Sequence, residues 1–233
     1  MLSRSSQVVL LVACTALAGL TGCREAAPLA GPGTAIQLSM HMTFGDRFVF
    51  TRTYLDQYGY PIPGSDVVEH WTVIATEAAA YGDTGVTVIV DSIGVARTDT
   101  LSFRFTSSGD VYGWGFLART VADIGGGSVP RRWDLLARSP VAAGVSWAVG
   151  VDDPAGSDTV YASYASQPDY FSGSINGVPT VFTANHIDIT SQAIVCTLWL
   201  TDSPSCIAGI SATSALAANG FASTITSMTV AGQ

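Results

Sequence analysis

From residue 36 onward the chain alternates. Ile36, Leu38, Met40, Met42 and Phe44 share one face, and Gln37, Ser39, His41 and Thr43 the other, so the period of two predicts a strand. "RFVFTRTYL" continues extended, and "DQYGYPIPGSD" breaks it with Gly and Pro. In "VVEHWTVIA", Val67, Glu69, Trp71 and Val73 alternate against Val68, His70, Thr72 and Ile74. With "GVTVIVDSI" beyond the "YGDTG" turn this predicts a hairpin. "TLSFRFTSSGDVYGWGFL" predicts another, with Leu101, Phe103 and Phe105 inward; Gly113 and Gly115 between aromatics suggest a bent strand or a close backbone approach.

The meander is interrupted by "VADIGGGSVPRRWDLLARSPVAAG", a long irregular segment of the kind in which function concentrates, with a single helical turn predicted at residues 133–137. Short strands then resume through "VSWAVGV", "TVYASYA", "DYFSGSI", "PTVFTANHIDIT", "AIVCTLWL" and "STITSMTV". Apart from a weak Ala-rich stretch at residues 211–219, no amphipathic helix is expected. Ten or eleven short strands with regular turn signals predict an all-β antiparallel meander, folded as a sandwich or as an open or half barrel. They are too short for a membrane-spanning barrel.

The first 22 residues differ in kind. Arg4 precedes the apolar run "VVLLVACTALAGL", too short to span a bilayer and laid out like an export signal. It ends at Leu20, Thr21, Gly22 and Cys23, four residues that resemble the lipobox of bacterial lipoproteins. The resemblance implies that the Cys23 thiol receives diacylglycerol, that residues 1–22 are removed, and that fatty acyl chains such as palmitate hold the protein on a membrane; two or more chains give stable anchoring. An ordinary signal peptide cut near Ala26 or Ala27 is the alternative. Residues 23–35 carry the lipid site and a flexible Ala, Gly and Pro tether, and residues 36–233 form one β-rich domain. Arg24 follows the cysteine where Asp would favour the inner membrane, so the resemblance leans toward the outer one.

Composition narrows the functions. Charged residues are 12% of the chain, half the usual share of about 25%. After residue 22 nine arginines face eighteen acids, a balance of about −9 that argues against a nucleic-acid partner. The chain has no lysine, which excludes Walker loops, Schiff bases and Ser-x-x-Lys nucleophiles. Of four cysteines, Cys14 lies in the signal and Cys23 at the lipid site. Cys196 and Cys206 flank a turn in "TLWLTDSPS", and in an exported protein they are expected to form a disulfide.

Little of the sequence carries catalytic chemistry. His186 and Asp188 share a strand face, as a general base and its orienting carboxylate would, or as two polar residues on a half-exposed strand. Asp152, Asp153 and Asp158 share one loop without the spacing of a calcium motif, so no metal or cofactor is expected. Arg131, Arg132 and Arg138 gather near Trp133 as the basic cluster of an acidic chain, suited to an anionic headgroup or a partner's carboxylates; Trp114 is an aromatic candidate beside them. The surplus of large side chains suggests an apolar cavity with access through residues 125–144. By anchor and architecture the chain is similar to β-rich bacterial lipoproteins, among them half-barrel carriers of lipids and lipoproteins. That implies a non-enzymatic binding or interaction module of the cell envelope, taking a hydrophobic small molecule or an envelope protein. A hydrolase using His186 and Asp188, or a purely structural envelope component, is the alternative.

Overall fold

The computed structural model describes residues 38, 42–94, 97–125, 129–151, 159–191, 194–202, 205–214 and 219–231. Residues 1–35, with the signal, Cys23 and tether, lie outside them, as do His41, Asp152, Asp153 and Asp158. Among the described residues, alternating apolar positions produce thirteen strands in one hydrogen-bonded sheet. The first six are β1 (Arg47–Leu55), β2 (Val67–Ala78), β3 (Thr84–Ile93), β4 (Arg97–Phe105), β5 (Val111–Trp114) and β6 (Trp133–Ala137). The others are β7 (Ser146–Val151), β8 (Thr159–Tyr164), β9 (Asp169–Ile175), β10 (Val178–Thr190), β11 (Ile194–Asp202), β12 (Ser205–Ser214) and β13 (Gly220–Thr229). The all-β class is the one the alternation predicts.

The sheet runs from β6 back through β1, crosses to β13, and returns through β12, β11, β10 and β8 to β7. β9 pairs with β10 and, in parallel at Ser174 and Ile175, with β13, so β9 to β13 close a ring of five paired strands. The edges β6 and β7 meet at a seam bridged by side chains. Trp147 Nε1 donates to the Leu135 carbonyl at 2.8 Å, and the Tyr164 hydroxyl to the Arg138 carbonyl at 2.7 Å.

The inner face is filled by one contiguous apolar cluster running from Phe48, Phe50 and Trp71 through Val88 and Phe103 to Ile187, Leu198 and Phe221. This differs from the hollow interior that the surplus of large side chains suggested: those side chains are buried against one another in a single cluster.

Four sequence readings are corrected. Phe116–Asp123 forms a helix, α1, in a segment read as strand and loop. Its buried Phe116, Leu117, Thr120 and Val121 recur at helical spacing, between Gly115 (φ +63°) and Gly125 (φ +73°). Conversely, residues 133–137 are strand β6, with Asp134 and Leu136 buried in alternation, and residues 211–214 of the Ala-rich stretch belong to β12. Finally, Cys196 is a free, buried thiol, pushed up to about 12 by burial. The backbone register sets Cys196 opposite Ala212 and Cys206 opposite Thr201, five residues along the hairpin. That separation is about 16 Å, beyond the reach of a disulfide. The register pairs Asp202 with Ser205, so the two positions are not cross-strand neighbours.

Candidate functional site

Alternation places two charged residues where a core should be. On β1, Arg52 shares the inward face of Phe48 and Phe50; on β2, Glu69 shares that of Trp71 and Val73. Both are almost fully buried, and Arg52 Nη2 lies 3.2 Å from Glu69 Oε1. Arg52 Nη1 also reaches Asp123 Oδ2, at the last turn of α1, at 2.7 Å. A carboxylate is unfavourable at a helix C-terminus because the macrodipole is negative there. Arg97 of β4 compensates from the other side, with Nη1 at 2.8 Å from Asp123 Oδ1 and Nη2 at 2.7 Å from Asp99 Oδ2. Burial pushes the Asp123 carboxyl up, but Arg52, Arg119 and Arg97 together outweigh it and hold the group below its ordinary 3.8. The Arg52 guanidinium lies over Phe221, and Trp71 Nε1 donates to Glu69 Oε2, so the network is built into the apolar core.

Arg119, on α1, is held differently. Glu69, Asp99 and Asp123 surround it, yet their nearest oxygens stand 3.5–3.7 Å away, beyond hydrogen-bond range. Among the described residues its Nε is buried without a hydrogen-bond partner, as is Asp99 Oδ2 3.5 Å from it, so the pair is held by charge and not by a hydrogen bond. Burial lowers its pKa from the ordinary arginine value, and Arg52 lowers it further.

Arg119 lines a cleft of about 440 Å³ between β4, β5, α1 and the connection from α1 to β6. Arg97, Asp99, Thr100 and Arg131 supply its other polar groups. Trp114, Leu101, Val129 and the small Ala118 and Ala122 supply its apolar walls. Two glycines shape this corner: a Cβ on Gly113 would come within 2.9 Å of Leu136 Cδ1, and Gly115 takes a left-handed turn into α1 against the stem of Arg131. The first turn of α1 is capped from β6, where Asp134 Oδ2 accepts the Leu117 N–H at 2.9 Å. The cleft stands at the end of the strands opposite Leu38, whose carbonyl lies against Gly109 in the turn between β4 and β5.

Of the residues singled out from sequence, Trp114 and Arg131 line the cleft. Trp133 meets Trp114 edge-on at 5.6 Å and lies under the Arg104 guanidinium on the outer face. Arg132 turns inward instead, its guanidinium against Gly150 of β7 and its Nε 3.4 Å from Asp134 Oδ1. Arg138 is exposed beyond the far end of β6. The predicted cluster is therefore divided, because the segment is a strand and not a helical turn. Arg52, Glu69, Arg97, Asp99, Arg119 and Asp123 were not anticipated. The apolar parity of Arg52 and Glu69 was the available signal.

His186 and Asp188 do meet, with Nε2 3.0 Å from Oδ1. Asp169 of β9 stands on the other ring nitrogen at 2.9 Å and accepts the Trp199 indole N–H at 2.6 Å. Both ring nitrogens are thus engaged by carboxylates within the protein. It sits where β10 changes partner from β9 to β8 and its buried positions shift phase, from Phe182 and Ala184 to Ile187 and Ile189. His70 is exposed on β2. Among the described residues, no group of three or more His, Cys, Asp or Glu side chains is arranged to hold a metal ion.

No family model matches the chain, and no curated protein does. Among solved structures, a Parabacteroides distasonis protein described as a "putative lipoprotein" superposes with a TM-score of 0.45 at 9% identity, covering 84% of this chain and 100% of that one.

Proposed function

We propose that the protein is a lipid-anchored lipoprotein of the cell envelope, held through Cys23, that works without catalysis as a binding module. The observation that carries the binding reading is the cleft beside α1. It combines exposed aromatic surface at Trp114 with the exposed Arg131, which has no ion pair among the described residues, and with Arg119, whose Nε has no hydrogen-bond partner among them. Its volume falls in the range of small-molecule sites, roughly 300–1,000 Å³. The anchor reading rests on the signal-like residues 1–22 and the lipobox. The outer membrane is the favoured site, because Arg24 stands where an inner-membrane signal would place Asp.

Two measurements test this. Native mass spectrometry of protein purified from membranes should find a small molecule retained by the wild type and absent from an Ala118→Phe variant, in which the new ring fills the cleft. Equal retention by both, or none by either, would remove the binding reading. Mass analysis of the N-terminus should find Cys23 acylated, and a soluble unlipidated wild type would remove the anchor.

A further inference from the structure

The polar groups of the cleft are unevenly spent. Around it Arg52, Arg97 and Arg119 balance Glu69, Asp99 and Asp123, three charges against three. Arg131 is left over, exposed and without an ion pair among the described residues. In a chain of net charge −8 the cleft therefore carries one local positive charge in excess. The Arg119 side chain is 13% exposed; its buried Nε and the Asp99 Oδ2 3.5 Å away both lack a hydrogen-bond partner among the described residues, so the donors in excess of acceptors are those of Arg131. Arginine offers donors and no acceptor, and its planar fork matches the oxygens of a carboxylate or phosphate. The remaining walls, Trp114, Val129 and Leu101 with two alanines, are apolar.

Resting on the binding reading above, we propose that the ligand is an amphiphilic anion. Its carboxylate or phosphate head is held by Arg119 and Arg131, and its apolar body lies against Trp114 and Val129. A neutral apolar molecule would cover the Arg131 guanidinium without supplying an acceptor, the situation that makes a site reject a ligand lacking the matching group. A highly charged anion would exceed the single surplus charge and meet Asp99. The acidic chain offers no long-range attraction, so recognition of the head depends on contact.

The test titrates the full chain in zwitterionic nanodiscs by calorimetry, against empty nanodiscs. The probes are 3-phenylpropanoate, phenyl phosphate and the neutral 3-phenylpropan-1-ol. Saturable binding of at least one anion is expected, at least tenfold tighter than the alcohol, and the two anions distinguish a carboxylate from a phosphate head. Arg131→Gln should weaken the anion at least tenfold and leave the alcohol unchanged. Arg131 is exposed and outside the buried network, so this variant does not depend on the fold tolerating a change at Arg119. Equal affinity for the alcohol, an Arg131→Gln variant that binds like the wild type, or no saturable binding of either anion would overturn the proposal. If the alcohol binds as well and Ala118→Phe blocks it, the cleft is a binding site and only the anion is wrong.

Discussion

Asp123 joins three elements through one carboxylate, since it ends α1 and takes Arg52 from β1 and Arg97 from β4 on its two oxygens. Breaking a buried pair from one side leaves the partner charge uncompensated, typically at a cost of about 3–5 kcal/mol. Asp123→Ala should lower stability by that order in chemical denaturation. The dependence on pH has a definite sign. The folded group titrates below the ordinary 3.8, so its contribution is present above that value and is lost as pH falls through the lower folded one. Wild type should lose stability more steeply below pH 4 than Asp123→Asn, and thermal melts from pH 5 to 2.5 would measure the difference. Alternation placed Glu69 on the face of Trp71. It could not name the acid that would meet Arg52, because Asp123 is 71 residues further along the chain.

The hairpins were legible as elements because each is a local pattern closed by a local turn. Helix α1 was not, because eight residues between glycines carry too short a period to stand against the alternation of Gly113 and Gly115 with aromatics. Its N-terminus, Gly115, has no side chain to cap it, and the cap comes from β6 as Asp134. That carboxyl is raised to about 6, chiefly because burial disfavours its charged form. Here the sign is the reverse of Asp123. Stability from Asp134 is full below the unfolded 3.8 and is lost as pH climbs through about 6, a loss of about 3 kcal/mol at 1.36 kcal/mol per unit. Asp134→Asn keeps an acceptor for the Leu117 N–H and cannot ionise. The melting temperature of this variant, relative to wild type, should rise by several degrees between pH 4 and pH 7. A constant difference across that range would contradict the assignment. The candidate site divides along the same line: Trp114 and Arg131 were visible as an aromatic and a base in a loop-rich segment, but Arg97 and Arg119 acquire meaning only when α1 lies against β4.

Across the whole molecule, the strand ladder is continuous from β6 to β7 and interrupted between them. The first six strands join the rest through β1 and β13, paired from Arg47 with Thr229 to Leu55 with Gly220. Residues 143–145, between the two edges, are exposed, and a Cβ added at Gly144 would meet nothing within 4 Å. A cut there touches two backbone hydrogen bonds, Gly144 N–H to the Tyr164 carbonyl and Tyr164 N–H to the Val145 carbonyl, both at 3.2 Å, and leaves the pairing between the named strands in place. Chain breaks are tolerated where the backbone on either side is held by contacts other than its own continuity. The protein should therefore behave as two polypeptides that happen to be joined. Nicked by an engineered protease site at residue 144, it should elute as one particle under native conditions and run as two bands when denatured. The two halves, expressed separately, should find each other through the β1 and β13 edges, which makes the seam a natural place to split this protein into complementing fragments.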